Sequence, residues 1–522
     1  MNKKRLVINM AASVVNFLVS FGISFFLSPY LIEHLGSEAY GFFSLGNQFV
    51  SYASILSAAL NSMASRFVTI EIHRGNVEKR DKLFSSVIIS NILISLVLLV
   101  PCVLLVLFLE KLFVIPPEIV FDVKLLWSFL FINFLLTITS NAYGIATFAA
   151  NKLYLTSMVS LESSVIRAVL LVALFWLFKP SLYYLGVATL LVTVYTVLFN
   201  IHYTRRLFPD MRCKRKNFDI SCVKELLLSG VWNSFTQLAS VLNNGLDLLI
   251  ANLFISSAAM GTLSITKVFP TYIAQIISLF GATFTPELAK NYAQNDKKSL
   301  LENIEFARCV MTVIISIPIV ILMVNGDAFF GLWIHGSNSR ELQIVSISGL
   351  FMYLFVSSLN TVGDVILLVN KQKYVAITYF IAGLLNIGVV FLLLKYIDRN
   401  AITVLGLDVE TVKILVVSGV SGLIAVIRNL VFTPIYAAKC LNEKYSIFYK
   451  VLFKGIIGSV LTVFVTYGVK TLWPIGSWID FFGNAIVSAL LGLVINVLIL
   501  FDRKKLLKLL SKIKQIKTGK AV

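Results

Sequence analysis

The chain has 522 residues, of which 58% are hydrophobic and 14% charged, with a mean hydropathy of +0.87; soluble domains are about half apolar and a quarter charged. Apolar runs recur from Val7 to the C-terminal end, and the longest polar interruption is about 20 residues, too short for a folded soluble domain. These features exclude designs built around cytosolic nucleotide-binding or external catalytic domains, and the formal charge of +19 becomes a question of where cations sit along membrane spans rather than of nucleic acid binding.

The hydropathy pattern predicts an all-α integral membrane protein of about 14 transmembrane helices. In chain order they fall at 7–31, 40–66, 84–109, 122–149, 154–178, 182–203, 224–254, 258–286, 305–325, 342–369, 374–395, 412–438, 447–469 and 479–501. Lys3, Lys4 and Arg5 precede a first apolar run too long for a signal-peptide core, so this span is expected to stay in the mature protein. An even span count puts both termini on one side. That side collects 32 Lys and Arg against 8 on the other, leaving Arg66, Arg167, Lys267, Arg428 and Lys454 inside spans. The positive-inside rule makes the rich side, with both termini, cytosolic, and its cations face anionic headgroups of the inner leaflet.

The five cysteines (Cys102, Cys213, Cys222, Cys309, Cys440) are scattered without metal-ligand spacing, so free thiols and no metal are expected. In the tail, Leu506, Leu509, Leu510 and Ile513 share one helical face among lysines, the pattern of an amphipathic helix lying on the inner leaflet.

An offset of 220 residues aligns 37–45 with 257–265, with identities Ser37/Ser257, Ala39/Ala259, Gly41/Gly261, Ser44/Ser264, Phe49/Phe269 and Tyr52/Tyr272. The same offset superposes two polar stripes. Asn9, Ser13, Asn16, Ser20 and Ser24 share one face of the first span, and Ser229, Asn233, Thr236, Ser240 and Asn244, followed by Asp247, share one face of the seventh. Amides and hydroxyls facing lipid are costly, so both stripes are expected to face protein or water. We read them as lining a hydrated cavity, with interhelical hydrogen bonding as the alternative. Six spans separate the copies, which makes the repeat parallel: two six-helix lobes, 1–203 and 224–438, joined by a basic cytosolic linker, 204–223. An appended helix pair follows at 439–501 and the amphipathic tail at 502–522. Lobes that rock about a midplane site are a transporter architecture.

Asp247 and Lys267 reach similar depth on consecutive spans, so their spacing allows an ion pair. Lys267 begins a stripe with Thr271, Gln275 and Ser278, which makes it the first candidate for contacting an anionic substrate group; Arg167 and Arg428 follow, while Arg66 is read as snorkelling to headgroups. Asp247, Glu162 and Asp364 are the candidate acids for proton or sodium coupling. There is no phosphate loop, no H-E-x-x-H and no triad around His34, His73, His202 or His335, so neither enzyme chemistry nor a cofactor is expected. Asp408-Val-Glu410 resembles an acidic sugar-transferase motif only by chance.

The segment FLSPYLIEHLGSEAYGFFSL (26–45), the 12-plus-2 span count and the repeated halves resemble the bacterial polysaccharide flippases of the multidrug/oligosaccharidyl-lipid/polysaccharide exporter superfamily. That resemblance implies a flippase carrying undecaprenyl-diphosphate-linked oligosaccharide, an O-antigen or capsule repeat unit, from the cytosolic to the outer leaflet of the bacterial plasma membrane by alternating access. In such proteins a cationic cavity holds the diphosphate while the lipid tail stays in the bilayer. A monomer working beside glycosyltransferases and a polysaccharide polymerase is expected. The alternatives are a cation-coupled multidrug exporter of the same superfamily, disfavoured by the excess of intramembrane cations, and a peptidoglycan-precursor or teichoic-acid flippase.

Overall fold

In the computed structural model, the described residues are 3–369, 371–400, 403 and 406–502, so the amphipathic tail expected beyond 502 lies outside them. All regular elements among them are helical. The chain runs through α1 (Lys3–Leu35), α2 (Ser37–Arg74), α3 (Val77–Leu107), α4 (Val120–Ser140, extended by a 3-10 turn and Ile145–Ala149), α5 (Leu153–Leu177) and α6 (Tyr184–Leu207). It continues through α7 (Ile220–Ser240), α8 (Asp247–Phe254), α9 (Ser257–Thr266), α10 (Val268–Ala293), α11 (Lys297–Trp333), α12 (Ser339–Leu368), α13 (Gln372–Asn400), α14 (Val409–Leu441), α15 (Tyr449–Leu472) and α16 (Trp478–Leu500).

Among the described residues, twelve helical segments are long and apolar enough to cross a membrane. The two expected spans outside that set are α2 and α7–α8. Both owe their lower hydropathy to Ser, Asn, Gln and Thr; α2 and α7 are packing partners, and part of this polar set is spent on bonds between them, while Thr236, Gln237 and Ser240 stay exposed.

The repeat extends well beyond the aligned motif. At the offset of 220, α2 and α9 begin at Ser37 and Ser257, and α3 and α11 at Val77 and Lys297. Asn76 and Asp296 each cap the helix that follows by accepting a backbone N–H, from Lys79 and Ser299. The residues before them, Gly75 and Asn295, both take the left-handed conformation that ends the preceding helix (φ 71° and 54°). Even an aromatic pair recurs: Phe49 meets Phe113 with ring centroids 5.5 Å apart, and Phe269 meets Trp333 at 5.4 Å. The copies differ in continuity. Where α1 and α2 run unbroken, their counterparts are broken, at Val241–Gly245 and at Lys267.

By packing, the chain divides into two compact units, Met1–Ser264 and Ile265–Val522. This division is not that of the repeat, because α7 packs on α2 and α3 and therefore joins the first unit. Gly230 lets α7 cross α2 closely, since any Cβ there would overlap the Ala59 carbonyl. Asn233 Nδ2 donates to Ser62 Oγ (3.0 Å) and Ser234 Oγ to the Ile55 carbonyl (3.0 Å) along the same crossing. Fully buried Trp127 anchors α4 by donating Nε1–H to the Phe42 carbonyl. In the second unit α11 is the central post, packed by α10, α12, α15 and α16. The appended pair α15–α16 is fixed to it by Lys470 Nζ on Asp327 (2.6 Å) and by Asn325 Nδ2 on Asn484 Oδ1 (2.9 Å).

Candidate functional site

The first break, in the first unit, is a π-helical turn, Val241–Gly245, after which α8 starts at Asp247. A π turn shifts the backbone ladder by one residue and leaves carbonyls for other donors. Tyr52, on α2, donates its hydroxyl to the Gly245 carbonyl, and Asn243 Nδ2 donates to Ala239 O (2.7 Å). Asp247 is buried at the mouth of α8, where the helix N-terminus favours a negative charge. Thr236, on α7, is exposed and returns its hydroxyl to Trp232 O. The side chain of Asn244 lies outside the described ones.

The second break, in the second unit, sits at Lys267, half-buried between α9 and α10. Thr271, Gln275 and Ser278 continue from it along one exposed face of α10, Thr271 Oγ1 donating to Lys267 O (2.9 Å). This face leads into a cleft of about 420 Å³ between α10 and α12, where Ser278 and Thr285 oppose Tyr353, Asn360 and Asp364. Gly281 makes the room: a Cβ there would stand 3.1 Å from Asn360 Nδ2. The structure thus brings together two separately expected features: the stripe that starts at Lys267 ends, at Ser278 on α10, in the cleft that Asp364 lines from α12. Asp247 and Lys267 belong to different units.

Arg428, on α14, is half-buried with its guanidinium 4.1 Å above the ring of Tyr379 on α13, a stacked cation–π contact. Arg167 is half-buried on α5. On that helix Glu162 accepts the Tyr195 hydroxyl, while Ser163 pairs with Thr196 (3.2 Å).

The first-span stripe faces α5. Asn9 is buried; its Nδ2 donates to Asn151 Oδ1 (3.1 Å) and its Oδ1 accepts the Tyr154 N–H (2.9 Å). Ser13 meets Ser157 (3.3 Å) and Ser20 meets Ser164 (3.1 Å), while Asn16 Oδ1 accepts from Ser20. Two hydroxyls seven residues apart interlock with two hydroxyls at the same spacing on the neighbour, which is the helix-joining alternative in physical form. Asp408 caps α14 by accepting the Thr411 N–H and hydroxyl. Among the described residues no group of three His, Cys, Asp or Glu is disposed to hold a metal ion.

Sequence reasoning missed Asn360, Tyr353 and Thr285 around Asp364, and Tyr379 beneath Arg428. The signals were there: Asn360 and Asp364 are one turn apart, as are Ser278, Gly281 and Thr285 in sequence. Arg308, counted with the cytosolic-loop cations, is buried inside α11.

Solved structures share this architecture. An inward-facing MATE multidrug resistance transporter of the MOP superfamily superposes with a TM-score of 0.65 at 13% identity, covering 84% of this chain and 99% of its own. Lipid II flippase MurJ, in an inward closed conformation, superposes with a TM-score of 0.61 at 15% identity, covering 94% and 98%. The chain is therefore a multi-pass α-helical membrane protein that shares the fold of these two proteins. A relative in Bacillus subtilis (strain 168), described as "Uncharacterized membrane protein EpsK", is 26% identical over 472 residues, 90% of each chain. Residues 6–292 match the family described as "Polysaccharide biosynthesis protein", and the chain belongs to that family.

Proposed function

We propose that this protein is a flippase that moves undecaprenyl-diphosphate-linked oligosaccharide from the cytosolic to the outer leaflet of a bacterial plasma membrane by alternating access, for surface polysaccharide assembly. The observation that carries the reading is the break at Lys267 with the amide and hydroxyl face Thr271–Gln275–Ser278 behind it, in a chain of the polysaccharide biosynthesis family. Such a face exchanges glycan hydration for many moderate hydrogen bonds, and a fixed cation beside it orients a diphosphate. Broken helices are the form that intramembrane substrate sites take in transporters. Lys267, Arg167 and Arg428 are the candidate cations; Asn16, Asn233, Thr236 and Asn244 are candidate glycan contacts on the other polar faces. Asn9 and Ser13 belong with them by sequence, but their bonds to α5 favour a structural role. Asp364, Asp247 and Glu162 are the candidate coupling acids. The cation bias supports cytosolic termini, and the protein works as a monomer beside glycosyltransferases and a polymerase.

A second reading, export of cationic drugs, is favoured by one feature: the Asp364 cleft combines an acid with the Tyr353 ring, chemistry suited to an organic cation. Depletion in the native cell separates the two. Build-up of complete lipid-diphosphate-linked repeat units on the cytosolic leaflet, with loss of surface polysaccharide, is expected for the flippase. An unchanged pool with new sensitivity to cationic dyes would overturn it in favour of drug export.

A further inference from the structure

The N-terminal turns of α11 carry Lys298, Glu302, Glu305 and Arg308 at spacings of four, three and three, which puts two acids and two bases on one helical face. Opposite them the segment before α15 is held down at two points. Lys297 Nζ pairs with Glu443 (2.8 Å) and donates to Asn442 O (3.1 Å). Arg308, 1% exposed, donates Nε–H to Ser358 O (2.6 Å) and an Nη2–H to Phe448 O. Its guanidinium lies 5.5 Å from the Phe448 ring centre. Between these ties is a cavity of about 190 Å³ lined by Lys298, Leu301, Glu302, Glu305, Arg308 and Phe448. At about 30 Å³ per water, that space equals about six waters.

We infer that this cavity binds the headgroup of a zwitterionic aminophospholipid, whose phosphate meets Arg308 and Lys298 and whose primary ammonium meets Glu302 and Glu305. Two observations select the class. The lining is dipolar, so a purely anionic headgroup would bring its charge against two carboxylates, while a purely cationic ligand would meet Arg308 and Lys298. The cavity also lies at the end of α11 that the cation bias assigns to the cytosolic surface, at headgroup depth, with Leu301 beside it for an acyl chain. Arg308 has five N–H donors, of which Ser358 and Phe448 take one each in the bonds described; buried as it is, it adds positive charge beneath Lys298, which is exposed and offers its ammonium to a phosphate. A primary ammonium offers three N–H donors to the acids, which a quaternary choline lacks. Because Arg308 also grips the Phe448 carbonyl, the bound lipid tightens the joint between α11–α12 and the appended pair α15–α16.

The test uses the purified full-length protein in detergent, with thermal unfolding followed after addition of phosphatidylethanolamine, phosphatidylcholine or phosphatidylglycerol of identical acyl chains. The ethanolamine lipid is expected to raise Tm by several degrees more than the other two, and Glu302→Gln with Glu305→Gln to erase that preference. Equal stabilisation by all three lipids, a phosphatidylglycerol optimum, or a preference that survives the double substitution would overturn the assignment. If the double variant does not fold, the ranking of lipids on the unsubstituted protein decides the matter. None of these outcomes depends on what the protein transports.

Discussion

Gly41 on α2 and Gly261 on α9, equivalent positions of the internal repeat, pack against each other backbone to backbone. A Cβ on Gly41 would stand 3.2 Å from the Gly261 Cα, and one on Gly261 would stand 2.8 Å from the Ser37 carbonyl carbon. Beside this contact Ser257 Oγ donates to Glu38 Oε2 at 2.8 Å. The two copies of one sequence motif therefore meet at their own matching glycines, although the surroundings of the two glycines differ.

The two glycines are expected to differ under substitution. The first atom met by a Cβ on Gly41 is the flexible Met260 Cε, whereas Gly261 meets only backbone. Overpacking against backbone costs about 1 to 3 kcal/mol, and the gain in helix propensity from Gly to Ala returns at most about 1 kcal/mol. Gly261→Ala should lower Tm clearly and Gly41→Ala little, measured by thermal unfolding in detergent. Equal losses would mean that Met260 cannot move aside and that the crossing is as unyielding at Gly41 as at Gly261.

The polar stripes separate by the same kind of measurement. Asn9→Ala removes the acceptor of the Tyr154 N–H and the partner of Asn151, and should cost about 1 to 3 kcal/mol of stability. Gln275→Ala, on the exposed face of α10, should leave Tm within error and lower glycan translocation.

Lys267→Ala is expected to reduce translocation by at least tenfold at normal protein level, because the break beside Lys267 fixes where its charge can go. Arg66→Ala, at an exposed position near the end of α2, should instead lower membrane abundance. Quantifying surface polysaccharide against immunoblotted protein distinguishes them, and wild-type transport by Lys267→Ala would remove that residue from the site.

Asp364→Asn preserves the shape of the α10–α12 cleft while removing its carboxylate. Translocation driven by an ion gradient in proteoliposomes should fall several-fold, with substrate binding retained. An unchanged response to the gradient would shift the coupling role to Asp247 or Glu162.

Three loop acids set an acid limit on stability. The Ser221 N–H holds the Asp219 carboxyl below its ordinary range, the Ser299 hydroxyl and N–H do so for Asp296, and the Thr411 hydroxyl for Asp408. A carboxyl depressed in the folded state stabilises above its unfolded pKa, and that stability is lost as pH falls through the folded value. Tm should therefore decline as pH drops below about 4. Asn at these three positions keeps the capping oxygen and should flatten the decline.

Much of the fold was legible because membrane insertion is a local test: a run of apolar residues long enough to span, with its flanking cations, declares itself without any partner. Hence the span pattern, and the offset of 220 that later proved to carry caps, left-handed turns and an aromatic pair. The site was only half legible. Lys267 and Asp364 stood out as charges in apolar surroundings, but that the stripe behind Lys267 runs into the Asp364 cleft depends on how α10 lies on α12, with Gly281 yielding space to Asn360.

Sequence by itself determined that this is a helical membrane protein with a duplicated core, because the bilayer imposes length, apolarity and charge bias one segment at a time. Tertiary structure alone decided which polar groups join helices and which stay open. Asn9 and Arg308 are the plainest cases: by sequence the first is expected to face either protein or water and the second counts only as a cytosolic-side cation, and both are committed to backbone groups far along the chain, Tyr154 for one and Ser358 and Phe448 for the other. A polar side chain inside a membrane must find a partner, and only the packed structure says whether that partner is another helix or something the protein carries.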